Sequence, residues 1–383
     1  MGDALEEVSK GLMLASLSVT DNKGNTMKEV GKTDPWHVEA LKVATGSEKR
    51  AYNPLIQTLY EDMDGLEMDC LIELSDAQGY IAHNDEMIVL SFSSTTSPFD
   101  WMTNFSTANS SWGSFFQWKT RPLVNREFYN TFLGAAPSIE EHIHPLLSND
   151  ERPRKLFVVG HSLGAGIAPL AACYFITEYD WSTLPHSLVV VTGGSPRACL
   201  QSMKDTIDGR MEKFGDKVRM YRVVKGNDAI ATLPPTPWGF RHLTNPIKIT
   251  EGGQVVMGTE EDDVDVDLMI LMTSQGGKGL VEKYDFDDGR DFKNKYDLLL
   301  KGVPKHLRDH LPDIYLKALK NAQEHESRSP TKSDQSDSDV STAAETDSAG
   351  SSQSQKKPDR VWLPRKFRNE IPKKIHLNTG SCW

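Results

Sequence analysis

Short apolar runs bounded by turn residues recur along this chain, and between them lie longer stretches whose apolar positions follow the helical period. Leu156-Phe157-Val158-Val159, Ser187 to Val191 and Val218 to Val224 are rich in β-branched residues, and each reads as a buried strand. Cys70 to Leu74 reads as a further strand, and Gly79 to His83 with Met87 to Phe92 as a hairpin turning at Asn84-Asp85. Val124 to Ile139 and Glu140 to Leu147 read as helix, as does the Ala-rich stretch Ala165 to Phe175. Strands that alternate with helices predict an α/β fold, with a mostly parallel sheet covered by helices on both faces. Such sheets bind ligands beyond the carboxyl ends of their strands.

The flanks read differently. Residues 1–63 carry helical patterning, with Thr33-Asp34-Pro35 as a cap and first turn, and are expected to pack on the core without contributing chemistry. After Gly239, Ile247-Lys248-Ile249 and Gln254-Val255-Val256 flank Gly252-Gly253 as a hairpin, and Val303 to Ala322 reads as a terminal helical region containing His306 and His310. Residues 324–358 are almost devoid of apolar side chains, so burial cannot repay the entropy of ordering and disorder is expected. Residues 359–383 interleave Arg360, Arg365, Lys366, Arg368, Lys373 and Lys374 with Trp362, Phe367 and Trp383. That segment suits an anionic membrane surface, or a strap docking back on an acidic domain. The expected organisation is a helical segment 1–63, a catalytic-type α/β domain 64–323, a polar linker 324–358 and a basic-aromatic segment 359–383.

Composition narrows the classes. Against 54 acidic side chains stand 43 Lys and Arg, for a net charge of −11, which argues against general nucleic-acid binding. The cysteines Cys70, Cys173, Cys199 and Cys382 have no zinc-like spacing and read as free thiols of a reducing compartment. Met1 to Glu7 lacks a basic region before an apolar core, Glu6 does not suit myristoylation, and Cys382 lies too near the end for prenylation. No apolar run approaches the ~18 residues of a membrane span. The expectation is a cytoplasmic protein with no metal or organic cofactor. Asp285-Phe286-Asp287-Asp288-Gly289 falls one residue short of a calcium-loop spacing and reads as a solvated loop.

The chemistry centres on Gly160-His161-Ser162-Leu163-Gly164, which follows a strand pattern directly and opens a helix pattern. In that context G-x-S-x-G is a nucleophile elbow, with the serine on a strained turn between strand and helix. The Leu163 N–H, in the first helical turn, has no intrahelical acceptor and can meet a developing oxyanion. A serine hydroxyl attacks only when a histidine takes its proton and a carboxylate orients that histidine. Asp228 lies just past the strand Val218 to Val224, whereas Asp205, Asp208 and Asp216 have no strand end beneath them. Of the later histidines, His325 and His376 fall in or beyond the polar tract, leaving His242, His306 and His310.

The ordered blocks resemble the class 3 lipases. Gly160 to Gly164 matches the family elbow, Thr192-Gly193-Gly194-Ser195-Pro196-Arg197 resembles its T-F-G-x-P-R strand end, and Tyr221-Arg222-Val223-Val224 to Asp228 with Leu233-Pro234-Pro235 matches its Y-R-V-V-x-x-x-D…L-P-P block. Phe240-Arg241-His242-Leu243 is similar to a segment whose histidine is not catalytic, and Asp309-His310-Leu311-Pro312-Asp313-Ile314-Tyr315 to the one whose histidine is. The resemblance therefore implies an α/β-hydrolase with Ser162 as nucleophile, Asp228 as orienting carboxylate and His310 as base. It also implies that Thr95 and Leu163 hold the oxyanion, although Phe92-Ser93-Ser94-Thr95 departs from the family's F-R-G-[ST]. Thr96-Ser97-Pro98-Phe99-Asp100 together with Gly160 to Gly166 resembles the diacylglycerol lipase branch.

Two further expectations complete the reading. Phe99, Trp101, Met102 and Phe105 form an apolar cluster just past a strand end, expected to act as a lid over the substrate site, or else as an ordinary helix packed on the core. Ser336-Asp337-Ser338-Asp339 and Ser329-Pro330 suit a kinase acting on the 324–358 linker. The function expected is hydrolysis of a lipid ester, with peripheral contact at a lipid droplet or membrane surface. The alternative is a lipid-binding or scaffolding pseudo-lipase, motivated by the altered turn before Thr95.

Overall fold

The computed structural model describes residues 2–16, 66–73, 77–94, 109–111, 122–149, 151–250, 252–258, 309–310, 314–319 and 321–322. Helix α1 spans Gly2–Ser16. Strands β1 (Glu67–Glu73), β2 (Ala77–His83) and β3 (Met87–Ser94) follow. The two short strands β4 (Asn109–Ser111) and β5 (Leu123–Asn125) lead to α2 (Arg126–Ser138), a π-helical turn (Ile139–Ile143) and α3 (His144–Asn149). Then come β6 (Lys155–His161), α4 (Leu163–Glu178), β7 (Ser187–Gly193), β8 (Cys199–Leu200), α5 (Gln201–Phe214) and β9 (Val218–Lys225). Strands β10 (Phe240–Arg241), β11 (Pro246–Ile249) and β12 (Val255–Met257) complete them, with residues 314–319 helical.

The main sheet has the order β1-β2-β3-β6-β7-β9-β11-β12. Its centre is parallel from β3 through β11, and antiparallel pairs close both sides, β1 and β2 on one and β12 on the other. Valine-rich β6 and β7 are buried along almost their whole length, as central parallel strands must be when helices cover both faces. This is the α/β-hydrolase fold. One face carries α2, α4 and α5, whose Phe128, Phe132, Ile167, Phe175, Met203 and Ile207 join the largest apolar core. The other carries α1 and the helical residues 314–319, whose Leu5, Val8, Leu12, Tyr315 and Leu319 form a second core with Val159, Val191 and Val223.

Three expectations change. Val124 and Asn125 belong to strand β5, and the helix begins at Arg126, because the Asn125 side chain accepts the Glu127 and Phe128 N–H groups at 3.0 and 3.2 Å as a cap. A four-stranded antiparallel sheet, β10-β8-β5-β4, was not expected, since strands of two or three residues carry no periodicity. His310 sits in a turn ahead of residues 314–319 rather than inside a helix, consistent with Pro312, which disfavours helical backbone at the residue before it. The expected helix start at Thr33-Asp34-Pro35, the Asp285 loop, and the 324–358 and 359–383 segments lie outside the described residues.

Candidate active site

Strand β6 delivers the chain to Ser162 at the carboxyl end of the sheet, and α4 leaves immediately afterwards. Ser162 has φ 56° and ψ −124°, and it alone among the described non-glycine residues has a positive φ. That backbone is costly for a residue with a Cβ, and the surroundings hold it. The Ser162 N–H donates to the Gly193 carbonyl at 3.1 Å, and the Ser162 carbonyl accepts the Gly166 N–H at 3.2 Å. A Cβ on Gly164 would fall 2.0 Å from the Phe92 carbonyl oxygen, so only glycine lets the first turn of α4 lie against the end of β3. Leu163, the first residue of α4, is thereby held close to the strand end that continues towards Thr95.

The partners arrive from far along the chain. Asp228 lies in the turn after β9, and its N–H donates to the Lys225 carbonyl at 3.1 Å. His310 Nε2 stands 2.7 Å from Ser162 Oγ, and His310 Nδ1 stands 2.9 and 3.0 Å from the Asp228 carboxylate oxygens. With Nδ1–H donated to the carboxylate, Nε2 is left as the acceptor for the serine proton. Ser162, Asp228 and His310 are all nearly inaccessible, at 3 %, 1 % and 3 % exposure. The sequence-derived carboxylate and the histidine nominated by the resemblance thus lie together with the elbow serine. His242 does not join them: it is buried, donates Nε2–H to the Ala231 carbonyl at 2.8 Å, and is held well below its usual pKa by burial and then by Arg222 and Arg197. His306, Thr95, Phe99, Trp101, Met102 and Phe105 lie outside the described residues.

Several contributors were not assigned from sequence. The Tyr315 hydroxyl donates to Asp228 Oδ2 at 2.6 Å and the Ile230 N–H to Oδ1 at 2.9 Å, so the carboxylate accepts from three groups. Burial by itself raises the Asp228 pKa, but the His310 charge and the hydrogen bonds from His310 and Tyr315 outweigh it and leave it below the ordinary value. Tyr315 is pushed well up by burial and by Asp228, so it stays a donor. His161 lies against the His310 ring with centroids 5.0 Å apart and meets the Tyr315 ring edge-on at 5.4 Å. Burial, and then the His310 charge, depress its pKa to about 3, so the imidazole beside His310 is neutral. Gly194 has φ 61°, and a Cβ there would lie 2.7 Å from Asp228 Oδ2 and from His310 Nδ1, which explains why the strand end is Gly-Gly. Tyr315 and Gly194 were in quoted motifs, but only the folded chain gives them a partner.

The family model for class 3 lipases matches residues 89–238. Over this stretch the chain is similar to the class 3 lipases. A secreted mono- and diacylglycerol lipase of Fusarium solani is 31 % identical over 170 residues, 43 % of this chain and 44 % of the relative. A chloroplastic phospholipase A(1) of Arabidopsis thaliana is 27 % identical over 177 residues, 43 % of this chain and 37 % of the relative. The chain therefore spans less than half the length of either relative. The solved triacylglyceride lipase of Rhizomucor miehei superposes with a TM-score of 0.51 at 15 % identity, covering 72 % of this chain and 93 % of that one. That similarity supports the shared fold. The class 3 stretch takes in Ser162 and Asp228, while His310 comes from beyond it.

Proposed function

We propose that this protein hydrolyses carboxylic esters of acylglycerols or related lipids through an acyl-enzyme formed on Ser162. The observation that carries the reading is the unbroken line of contacts from Ser162 Oγ to His310 to Asp228, at 2.7 and 2.9 Å. In this mechanism Ser162 Oγ attacks the ester carbonyl as His310 Nε2 takes its proton. The tetrahedral oxyanion is held by the Leu163 N–H and by Thr95. Asp228 keeps the proton of His310 on Nδ1 and stabilises the imidazolium. His310 then protonates the departing alcohol, and the C–O bond to it breaks. A water, deprotonated by His310, attacks the acyl-enzyme and releases the fatty acid and free Ser162. The neutral His161 adds no positive charge beside the imidazolium.

The near-complete burial of Ser162 and His310 supports a cover that opens for substrate. In this reading Phe99, Trp101, Met102 and Phe105 form that cover and move to a lipid surface, a droplet or a membrane. The buried thiols Cys70, Cys173 and Cys199 support a reducing, cytoplasmic location, although the relatives include several secreted enzymes. The linker 324–358 is then a kinase substrate whose phosphates tune that surface contact.

A fluorophosphonate probe with an ester panel tests the reading. The native protein is expected to label and to cleave members of the ester panel, and Ser162→Ala to lose labelling together with about 10⁴-fold or more of turnover. Labelling that survives in Ser162→Ala would remove the elbow assignment. A rate that rises as a short-chain ester passes its solubility limit, and does not rise in Trp101→Ser, is the expected signature of the cover; identical smooth saturation in both would remove it.

A further inference from the structure

Asp228 and His310 are 82 residues apart in sequence, and a second contact besides their own joins the segments that carry them. Asp309 directly precedes His310 and is buried at 6 % exposure. Its Oδ2 accepts the Asn227 N–H at 3.2 Å, and its Oδ1 lies 3.7 Å from Nζ of the buried Lys225. Between those two residues is Gly226, at φ 54°, where a Cβ would come within 2.5 Å of Asp309 Oδ2. The carboxylate is therefore seated on bare backbone of the turn that ends in Asp228. The opposite side of this turn is pinned to the sheet, where the Gly226 N–H donates to the Ile249 carbonyl at 2.9 Å.

We infer that Asp309 is a positioning residue, which with Lys225 and the Asn227 N–H fixes the His310 turn against the Asp228 turn and so sets the reach of His310 to Ser162. This rests on the hydrolase reading above. The imidazole must lie within hydrogen-bond distance of two groups on separate loops, and a misplacement of about 1 Å at such a site can cost on the order of a hundredfold in rate. A carboxylate and an ammonium buried together hold each other in place, because either one alone is left uncompensated. A hydrogen bond and an ion pair from one side chain to residues 225 and 227 thus fix its position relative to residue 228.

The test uses the full chain and a soluble short-chain ester, comparing the native protein with Asp309→Ala, Asp309→Asn and Lys225→Met. Readouts are kcat, KM, the rate of fluorophosphonate labelling, the unfolding midpoint and the strongly deshielded proton resonance of the His310–Asp228 hydrogen bond. For folded Asp309→Ala the expected result is a fall in kcat of about 10- to 100-fold, with KM within about twofold, labelling slowed in parallel and the proton resonance shifted or broadened. Asp309→Asn, whose side-chain oxygen can still accept the Asn227 N–H but which leaves the Lys225 ammonium without its carboxylate, should recover part of the loss. Lys225→Met should fall between the two, and it carries the test should Asp309→Ala fail to fold. Native kcat and an unmoved resonance in the folded variants would overturn the inference, leaving Asp309 as a buttress that alters only the unfolding midpoint. Equal ester turnover by the native protein and Ser162→Ala would instead count against the hydrolase reading, and the resonance would still report whether Asp309 holds His310.

Discussion

The two faces of the sheet are built by opposite means. On one, α2, α4 and α5 arise between consecutive strands and bury an apolar surface that includes Phe175, Ile167 and Trp181. On the other, α1 and residues 314–319 come from the two ends of the described chain and share one core. The second face also carries charge. Buried Glu7 of α1 accepts from Lys155 Nζ at 2.8 Å, from Arg219 Nε and Nη2 at 2.8 Å each and from the Tyr221 hydroxyl at 3.1 Å. It also reaches the site from beneath. A Cβ on Gly193 would lie 2.7 Å from Leu12 Cδ2, and the Gly193 carbonyl holds the Ser162 N–H. The difference teaches that one face supplies bulk stability, while the other couples long-range closure of the chain to the geometry of the serine and histidine.

The largest expected effect separates the two buried histidines. His310→Ala, in the turn ahead of the second face's residues 314–319, should lower kcat by about 10⁴-fold, equivalent to about 5.5 kcal/mol of barrier, with the fold intact. His242→Ala should keep turnover near native and lose about 1–3 kcal/mol of stability, since it strips the Ala231 carbonyl of its donor. Steady-state kinetics beside denaturant unfolding reads both, and the reverse pattern would make His242 the base and overturn the assignment to His310.

Phe175→Ala, on the first face, should cost about 3–5 kcal/mol of stability through the cavity it leaves, while the protein that remains folded turns over normally. Leu12→Ala should cost about 2–5 kcal/mol and also slow the folded fraction, because Leu12 supports Gly193 under Ser162. Unfolding midpoints with active-site-titrated kcat separate the two outcomes, and equal kcat in both would dissolve the contrast between the faces.

The smallest effect is a pH dependence. Burial favours the neutral form of Glu7, but its hydrogen bonds and charge interactions with Arg219 and Lys155 prevail and lower its pKa from 4.5 to about 2. A carboxyl whose folded value is depressed stabilises the fold above its unfolded pKa. That contribution, up to about 3 kcal/mol, fades as the pH falls from 4.5 through about 2. Glu7→Gln should therefore be less stable than the native protein at pH 7 and converge with it near pH 2. Parallel stability curves across that window would mean that α1 is held by apolar packing alone.

The sequence by itself determined the long central strands and the elbow that carries Ser162. Valine-rich runs such as Val158-Val159 and Val189 to Val191 have no stable place but a sheet buried on both sides, and Gly160, Gly164 and the serine between them suffice to define the elbow, because strand, turn and helix are adjacent in the chain. Asp228 was legible for a similar reason, as a carboxylate just past a strand end. The histidine was not: three candidates satisfied chain order, and resemblance rather than spacing chose His310. Strands β5, β8 and β10 were not legible either, since two or three residues acquire extended structure only from the partner that completes their hydrogen bonds. Only the tertiary structure decided that Tyr315 and Ile230 would join His310 on Asp228, that His161 would be neutral, and that Asp309 would sit on Gly226. Each of those facts depends on which groups burial brings within about 3 Å, and a one-dimensional pattern records the order of residues but not the distances that hydrogen bonds and desolvation act across.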